Sequence, residues 1–260
     1  MKNVFRMTVA VFLISLSLGC ARRMTLREDT VLQVPPQSGT RSFYDALSRH
    51  GDMIAHHFDG GVPWDEALKE SPYHFRVRSE IEYRRTHTPE NKRVYLAVTP
   101  LSTKRNSLAG RWGKGTNMPR AGEWKQKNFS DLEVVQAYTN YCREMIRAFE
   151  PDFMAYGIEV NMLAEKDPLL FEEYCEMAAA VYRTLKKEHP DLPLFLTLQL
   201  ETFIKDPLSQ KAAIEKLLPF TDYIAASSYP FLNNRRPGNL PADWFSKACR
   251  SFCRQAVRRC

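Results

Sequence analysis

The stretch Phe153-Met-Ala-Tyr-Gly-Ile-Glu-Val-Asn161 is a short apolar run that turns polar at its end. Side chains on a strand alternate between faces, so residues two apart share a side. Ala155, Gly157, Glu159 and Asn161 are therefore predicted to form one face that grows polar toward the strand end. A second run has the same design. Leu194, Leu196, Leu198 and Leu200 take one side, and Thr197, Gln199 and Glu201 take the other. Met53, Ala55, His57 and Asp59 repeat the pattern earlier in the chain. Such strands have one side packed on helices and one side facing a lumen.

Working outward, six strand-like runs cover residues 30–34, 52–59, 93–99, 153–158, 194–200 and 223–227. Helical segments lie between them. One covers 43–50, a second is opened by Pro63 and runs through Leu68, and a polar one covers 73–85. Ser130-Asp131-Leu132-Glu133 reads as a capping box. Leu132, Val135, Tyr138, Cys142, Met145 and Phe149 then trace one helical face, which Pro151 stops. Asp167-Pro168 and Asp206-Pro207 start helices reaching about Glu188 and Leu218, and 241–253 reads as a last one. The pattern lapses only in 100–129, a loop rich in glycine that carries Trp112 and Trp124.

Strands alternating with helices across short turns mean an α/β fold with a parallel sheet. No Gly-x-Gly-x-x-Gly follows any strand and no Walker loop is present, which argues against a doubly wound nucleotide-binding sheet. The expectation is a (β/α)8 TIM barrel with about six of its eight units, with its chemistry at the carboxyl ends of the strands. The division predicted along the chain is a signal peptide at 1–19, a linker at 20–29, the partial barrel at 30–245 and a basic, Cys-rich tail at 246–260.

The leader reading rests on Lys2 and Arg6, the apolar run from Val9 to Leu18, and Gly19-Cys20. That run is too short to span a bilayer comfortably, which takes ~20 residues. Leu16-Ser17-Leu18-Gly19-Cys20 resembles the lipobox of bacterial lipoproteins, except that Ser17 stands where leucine is usual. The resemblance implies lipidation at Cys20 and a membrane-anchored place in the cell envelope, on its periplasmic or extracellular face. The rival is an ordinary cleaved leader with a chance cysteine.

The net charge of +7 gathers at the two ends. Residues 235–260 carry seven Lys/Arg against Asp243, and the leader adds Lys2 and Arg6, so the body is close to neutral. A basic total built that way is no nucleic-acid face, and nucleic acid is not expected as a partner. Cys142 and Cys175 fall on apolar helical stripes, while Cys249, Cys253 and Cys260 sit in the tail without a fourth zinc ligand. His56 and His57 are adjacent on a strand and face opposite ways, so they are no metal pair. Neither a His-Glu-x-x-His motif nor a Gly-x-Ser-x-Gly elbow occurs. No metal and no cofactor are expected.

The strand end Tyr156-Gly-Ile-Glu159-Val-Asn161, with Tyr223-Ile-Ala-Ala-Ser-Ser-Tyr229-Pro230 at the sixth run, resembles the clan A type of retaining glycoside hydrolases on (β/α)8 barrels. The resemblance spans most of 30–231, by topology more than by motif. It implies hydrolysis of O-glycosidic bonds in a poly- or oligosaccharide, with Glu159 as general acid/base. A carboxyl in that role needs an enclosed site. The chain departs from the clan in having Ile158 where asparagine usually precedes the glutamate.

A retaining mechanism also wants a nucleophile ~5 Å away, which the clan takes from a seventh strand. The basic Cys-rich tail lacks the apolar run of a buried strand. A shift of frame or an early stop, with impaired activity and poor folding from unpaired sheet edges, is the corresponding expectation. Asn161, Tyr229, Trp64, His57, Asp59, Trp112 and Glu201 are the candidate substrate-binding residues, with Trp124 beside them. Aromatics after strands offer flat platforms to sugars or else pin loops to the rim. The alternative function is a non-catalytic carbohydrate-binding envelope lipoprotein.

Overall fold

The computed structural model describes residues 12–15, 31–33, 41–229 and 243–244. The chain forms an α/β fold whose strands are β1 (Phe12–Ser15), β2 (Val31–Gln33), β3 (Met53–Phe58), β4 (Arg93–Val98), β5 (Phe153–Gly157), β6 (Leu194–Gln199) and β7 (Tyr223–Ser227). The helices are α1 (Arg41–His50), α2 (Trp64–Leu68), α3 (Phe75–His87), α4 (Leu132–Phe149), α5 (Asn161–Lys166), α6 (Pro168–Glu188), α7 (Leu200–Lys205) and α8 (Pro207–Leu217). Cys20, all but 243–244 of the expected helix at 241–253, and the basic tail lie outside the described residues.

Sheet order is β1-β7-β6-β5-β4-β3-β2. From β2 to β7 each strand pairs in parallel with the next in sequence, while β1 joins the far edge antiparallel to β7. An unbroken sequential order decides between the two α/β architectures. Right-handed crossovers that always step the same way leave every helix on one face, as in a barrel wall. A doubly wound sheet needs a reversal of order. None occurs among the described strands, so the chain is a sector of a (β/α)8 barrel. The edge of β7 that was expected to lie unpaired is covered by β1, a piece of the run read as a leader.

The two faces of the sheet are packed separately. Leu96, Val98, Met154, Leu194, Leu196, Leu198 and Ile224 join the helices in one core. Met53, Ala55, Tyr95, Ala97, Ala155, Ile158, Phe195 and Ala225 form the other. In this inner cluster Tyr95 of β4 and Phe195 of β6 stack with ring centroids 5.8 Å apart. Neighbouring strands lie ~4.8 Å apart, so rings two strands apart meet only where they lean together over a small residue. Ala155 of the intervening β5, in register with Phe195, is a small residue of the same cluster.

The Asp-Pro starts behave as predicted: Asp167 Oδ1 accepts from Leu170 N and Asp206 Oδ1 from Ser209 N. The capping box at 130–133 does not form. Asp131 is the N-cap of α4, but its carboxylate accepts from Asn128 N, Ser130 donates to Glu173, and Glu133 pairs with Lys127. Glu150 ends α4 in left-handed backbone (φ 42°), just before Pro151. Cys142 is buried on α4 and Cys175 half-buried on α6, both free. Among the described residues no helix is long and apolar enough to cross a membrane.

Candidate active site

Five consecutive strand ends converge on one cluster. Asp59 follows β3, Arg105 sits in the loop after β4, and Glu159 follows β5. Thr197 stands near the end of β6, Glu201 opens α7, Ser227 ends β7, and Ser228 and Tyr229 follow it. These are carboxyl ends of parallel strands, the face on which barrel proteins build sites.

Glu159 arrives there by a route that simple alternation misses. The β5–β6 register slips between Ala155 and Gly157. An added Cβ at Gly157 would therefore point to the helix side, 2.8 Å from Leu196 Cδ2, 2.9 Å from Val160 Cγ1 and against Tyr174 Oη. Ile158 takes the inner side instead. Glu159 then adopts left-handed backbone (φ 53°), rare for a residue with a Cβ. Its amide donates to Thr197 Oγ1 at 2.9 Å and that of Val160 to Thr197 O at 3.0 Å, which pins the turn. The expected shared face of Ala155, Gly157, Glu159 and Asn161 is thus corrected: the bulge breaks it, and a strained turn returns Glu159 to the cluster.

Glu159 is 8% exposed. Ser227 Oγ donates to Oε1 at 2.7 Å, and Arg105 Nε stands 3.4 Å from Oε2. Arg105 uses its other edge on Asp59, with Nη1 to Oδ1 and Nη2 to Oδ2 both at 2.8 Å. One guanidinium thus joins two carboxylates. The arginine cation is held well into its charged form against the cost of burial, chiefly by the Asp59 hydrogen bond.

Glu201 accepts at Oε1 from Ser228 Oγ and from Tyr229 N, both at 2.7 Å, and its buried Oε2 has no hydrogen-bond partner. It begins a helix rather than continuing β6, yet it reaches the cluster. The phenol of Tyr229 lies within electrostatic reach of Glu159, Arg105, Asp59 and Glu201, and burial, then Glu159, raises its pKa well above the ordinary value. Tyr95 enters from the inner face below, its pKa likewise raised by burial, with Tyr229 and Glu159 adding. His57 is half-buried beside Asp59. Burial lowers it to about 4, against the pull of Asp59 and with Arg105 and Arg84 assisting, so it is neutral at neutral pH.

Other predicted contacts do not line the cluster. Asn161 is fully buried at the start of α5: Oδ1 accepts from Gln199 N at 2.7 Å, and Nδ2 donates to Gln199 O and Gln210 Oε1. It fastens α5 to β6 and α8. Trp64 is 1% exposed, stacks on Trp124 at 5.3 Å and donates to Ala109 O. Trp124 donates to Asp65 Oδ1, and Trp112 packs against Phe58. These rings pin the 100–129 loop to α2 and the rim instead of offering faces to a ligand. Arg105, Ser227 and Ser228 were missed. Ser227 and Ser228 lie within the strand-end motif Tyr223-Ile-Ala-Ala-Ser-Ser-Tyr229, whereas Arg105 carries no local signal. No group of three or more His, Cys, Asp or Glu among the described residues is placed to hold a metal ion.

No family model matches the chain, and no curated protein matches it. Solved structures give faint likenesses. GH5_18 from Streptomyces cattleya, crystallised with GlcNAc, is 15% identical with a TM-score of 0.43 over 61% of this chain and 38% of that one. A variant of it, crystallised with Manb1-4GlcNAc, is 14% identical, also at 0.43. The Ignisphaera aggregans GH53 catalytic domain is 16% identical with a TM-score of 0.39, over 68% of this chain and 49% of that one. The chain spans between about two fifths and half of the lengths it matches.

Proposed function

We propose that this protein acts on carbohydrate, hydrolysing an O-glycosidic bond with Glu159 as general acid/base. The observation that carries the reading is the placement of Glu159: an enclosed carboxylate beyond the central strand of the sector, set by a strained turn and ringed by groups from four other strand ends. Protonation of the departing glycosidic oxygen by Glu159, and later removal of a proton from the attacking water, is the chemistry an enclosed glutamate supplies. Tyr229 and the unpartnered oxygen of Glu201 would orient sugar hydroxyls. Lipidation at Cys20, with loss of residues 1–19 and so of β1, would hold the domain at the cell envelope.

A non-catalytic carbohydrate binder is the second reading, and one observation favours it: one oxygen of Glu159 already accepts from Ser227 and the other lies 3.4 Å from the Arg105 cation. Release of reducing ends from a panel of oligosaccharides, with calorimetric binding on the same panel, separates the two. Turnover that is lost in Glu159→Gln while binding persists supports the hydrolase. Binding without turnover in the unaltered protein supports the binder.

A further inference from the structure

The loop tip after β4 does something that solubility does not require. Thr103, Lys104 and Asn106 are exposed, while Arg105 between them is 3% exposed and turned inward. The tip is braced for this. Leu101 and Leu108 form a bridge, Ser102 N donates to Ser107 O, Arg105 N donates to Ser102 O at 2.8 Å, and Arg105 Nη1 also reaches Ser102 O. Arg105 holds left-handed backbone (φ 54°), a conformation that costs free energy in a residue with a Cβ. Burying a charged pair adds little net stability, because desolvation offsets the attraction. An exposed tip that accepts strain and desolvation to insert one cation points to a task at the cluster.

The division of the guanidinium indicates which task. Its forked edge is filled by both oxygens of Asp59, which fixes the plane of the group, as bidentate pairs do. Nε then stands 3.4 Å from Glu159 Oε2, a contact between charges without a hydrogen bond, and donates to no other group. Ser227 holds the opposite oxygen. We propose that Arg105 is a positioning residue: anchored by Asp59, it sets the orientation of the Glu159 carboxylate and does not itself touch the sugar. This rests on the role given to Glu159 above.

The test uses the whole protein with Arg105→Lys, Arg105→Gln, Asp59→Asn and the double variant Arg105→Lys/Asp59→Asn. Arg105→Lys and Asp59→Asn should each lower kcat about 10- to 100-fold with little change in KM, the signature of a lost transition-state interaction. The double variant should be no worse than the poorer single one, and Arg105→Lys should retain more kcat than Arg105→Gln. Multiplied losses in the double variant, or a raised KM at constant kcat, overturn the proposal. Urea-denaturation midpoints for Arg105→Gln combined with Asp59→Asn or with Glu159→Gln give a readout without turnover, since groups in one network couple. Non-additive midpoints in a protein that hydrolyses nothing leave the clamp standing and sink the hydrolase. Additive midpoints for both pairs sink the clamp, whatever the activity.

Discussion

Arg105 Nε and Glu159 Oε2 face each other at 3.4 Å, and both residues hold left-handed backbone, at φ 54° and 53°. Two strained residues from different loops thus meet in one buried contact. Strain of this kind, on the order of 1 kcal/mol or more per residue, persists where surrounding contacts fix it. Here Thr197 fixes Glu159, and Ser102 with Asp59 fixes Arg105.

Asn161 separates a structural role from a ligand contact. Its side chain makes three hydrogen bonds in a fully buried place. Asn161→Ala strands the Gln199 amide and the Gln210 side chain, so we expect a loss of about 2–3 kcal/mol in urea denaturation. Ligand affinity under native conditions should stay within about threefold. A large loss of affinity without loss of stability would return Asn161 to the binding face.

Gly157 is a position where one methyl group is felt. An added Cβ would press on Leu196, Val160 and Tyr174 within the core that joins β5 to α6. We expect Gly157→Ala to cost about 1–3 kcal/mol. Activity should fall too, because the bulge that delivers Glu159 begins there. A variant as stable as the parent by thermal melting would show that the turn yields more easily than the close contacts imply.

Two histidines make the domain acid-sensitive. His56 is fully buried, stacks on Phe149 and is neutral, with its pKa lowered by burial to about 3; that of His57 is lowered, also mainly by burial, to about 4. Thr88 Oγ1 donates to Arg84 O, so the 2.7 Å contact with His56 is best made by a protonated Nε2. Both pKa values lie below the unfolded value near 6.5, so the unfolded chain binds more protons between them. Stability is therefore full above about pH 6.5 and falls as the pH drops toward 4. The contribution of His56 reaches roughly 1.4 kcal/mol per pH unit. Melting temperatures from pH 7 to 4.5 should show this decline, and His56→Gln should flatten it. An unchanged slope in that variant would contradict the assignment.

Much of the architecture was legible because strands and helices leave local marks. The run 223–227 is strand β7 without adjustment, and both Asp-Pro pairs start helices. The leucines of β6 pack on the helices as their spacing required. The short helices α5 and α7 went unseen because strand alternation was carried past its end, although 161–166 is made mostly of helix formers. The site was only half legible. Asp59, Glu159, Glu201 and Tyr229 stand at strand ends and could be named from position. Arg105 acts across the fold from a glycine-rich loop, and no spacing in the sequence connects it to either carboxylate. The tryptophans misled in the opposite direction: their place after strands suits a platform equally well, and only packing distinguishes the two.

Dependence on the leaving group tests Glu159 as proton donor most directly. The protein and its Glu159→Gln variant are assayed on an oligosaccharide and on an aryl glycoside whose phenol leaves without needing a proton. Loss of a general acid should slow the oligosaccharide by about 10²- to 10⁴-fold and the activated glycoside far less. Equal losses on both substrates, or turnover that survives the substitution, would contradict the role given to this residue.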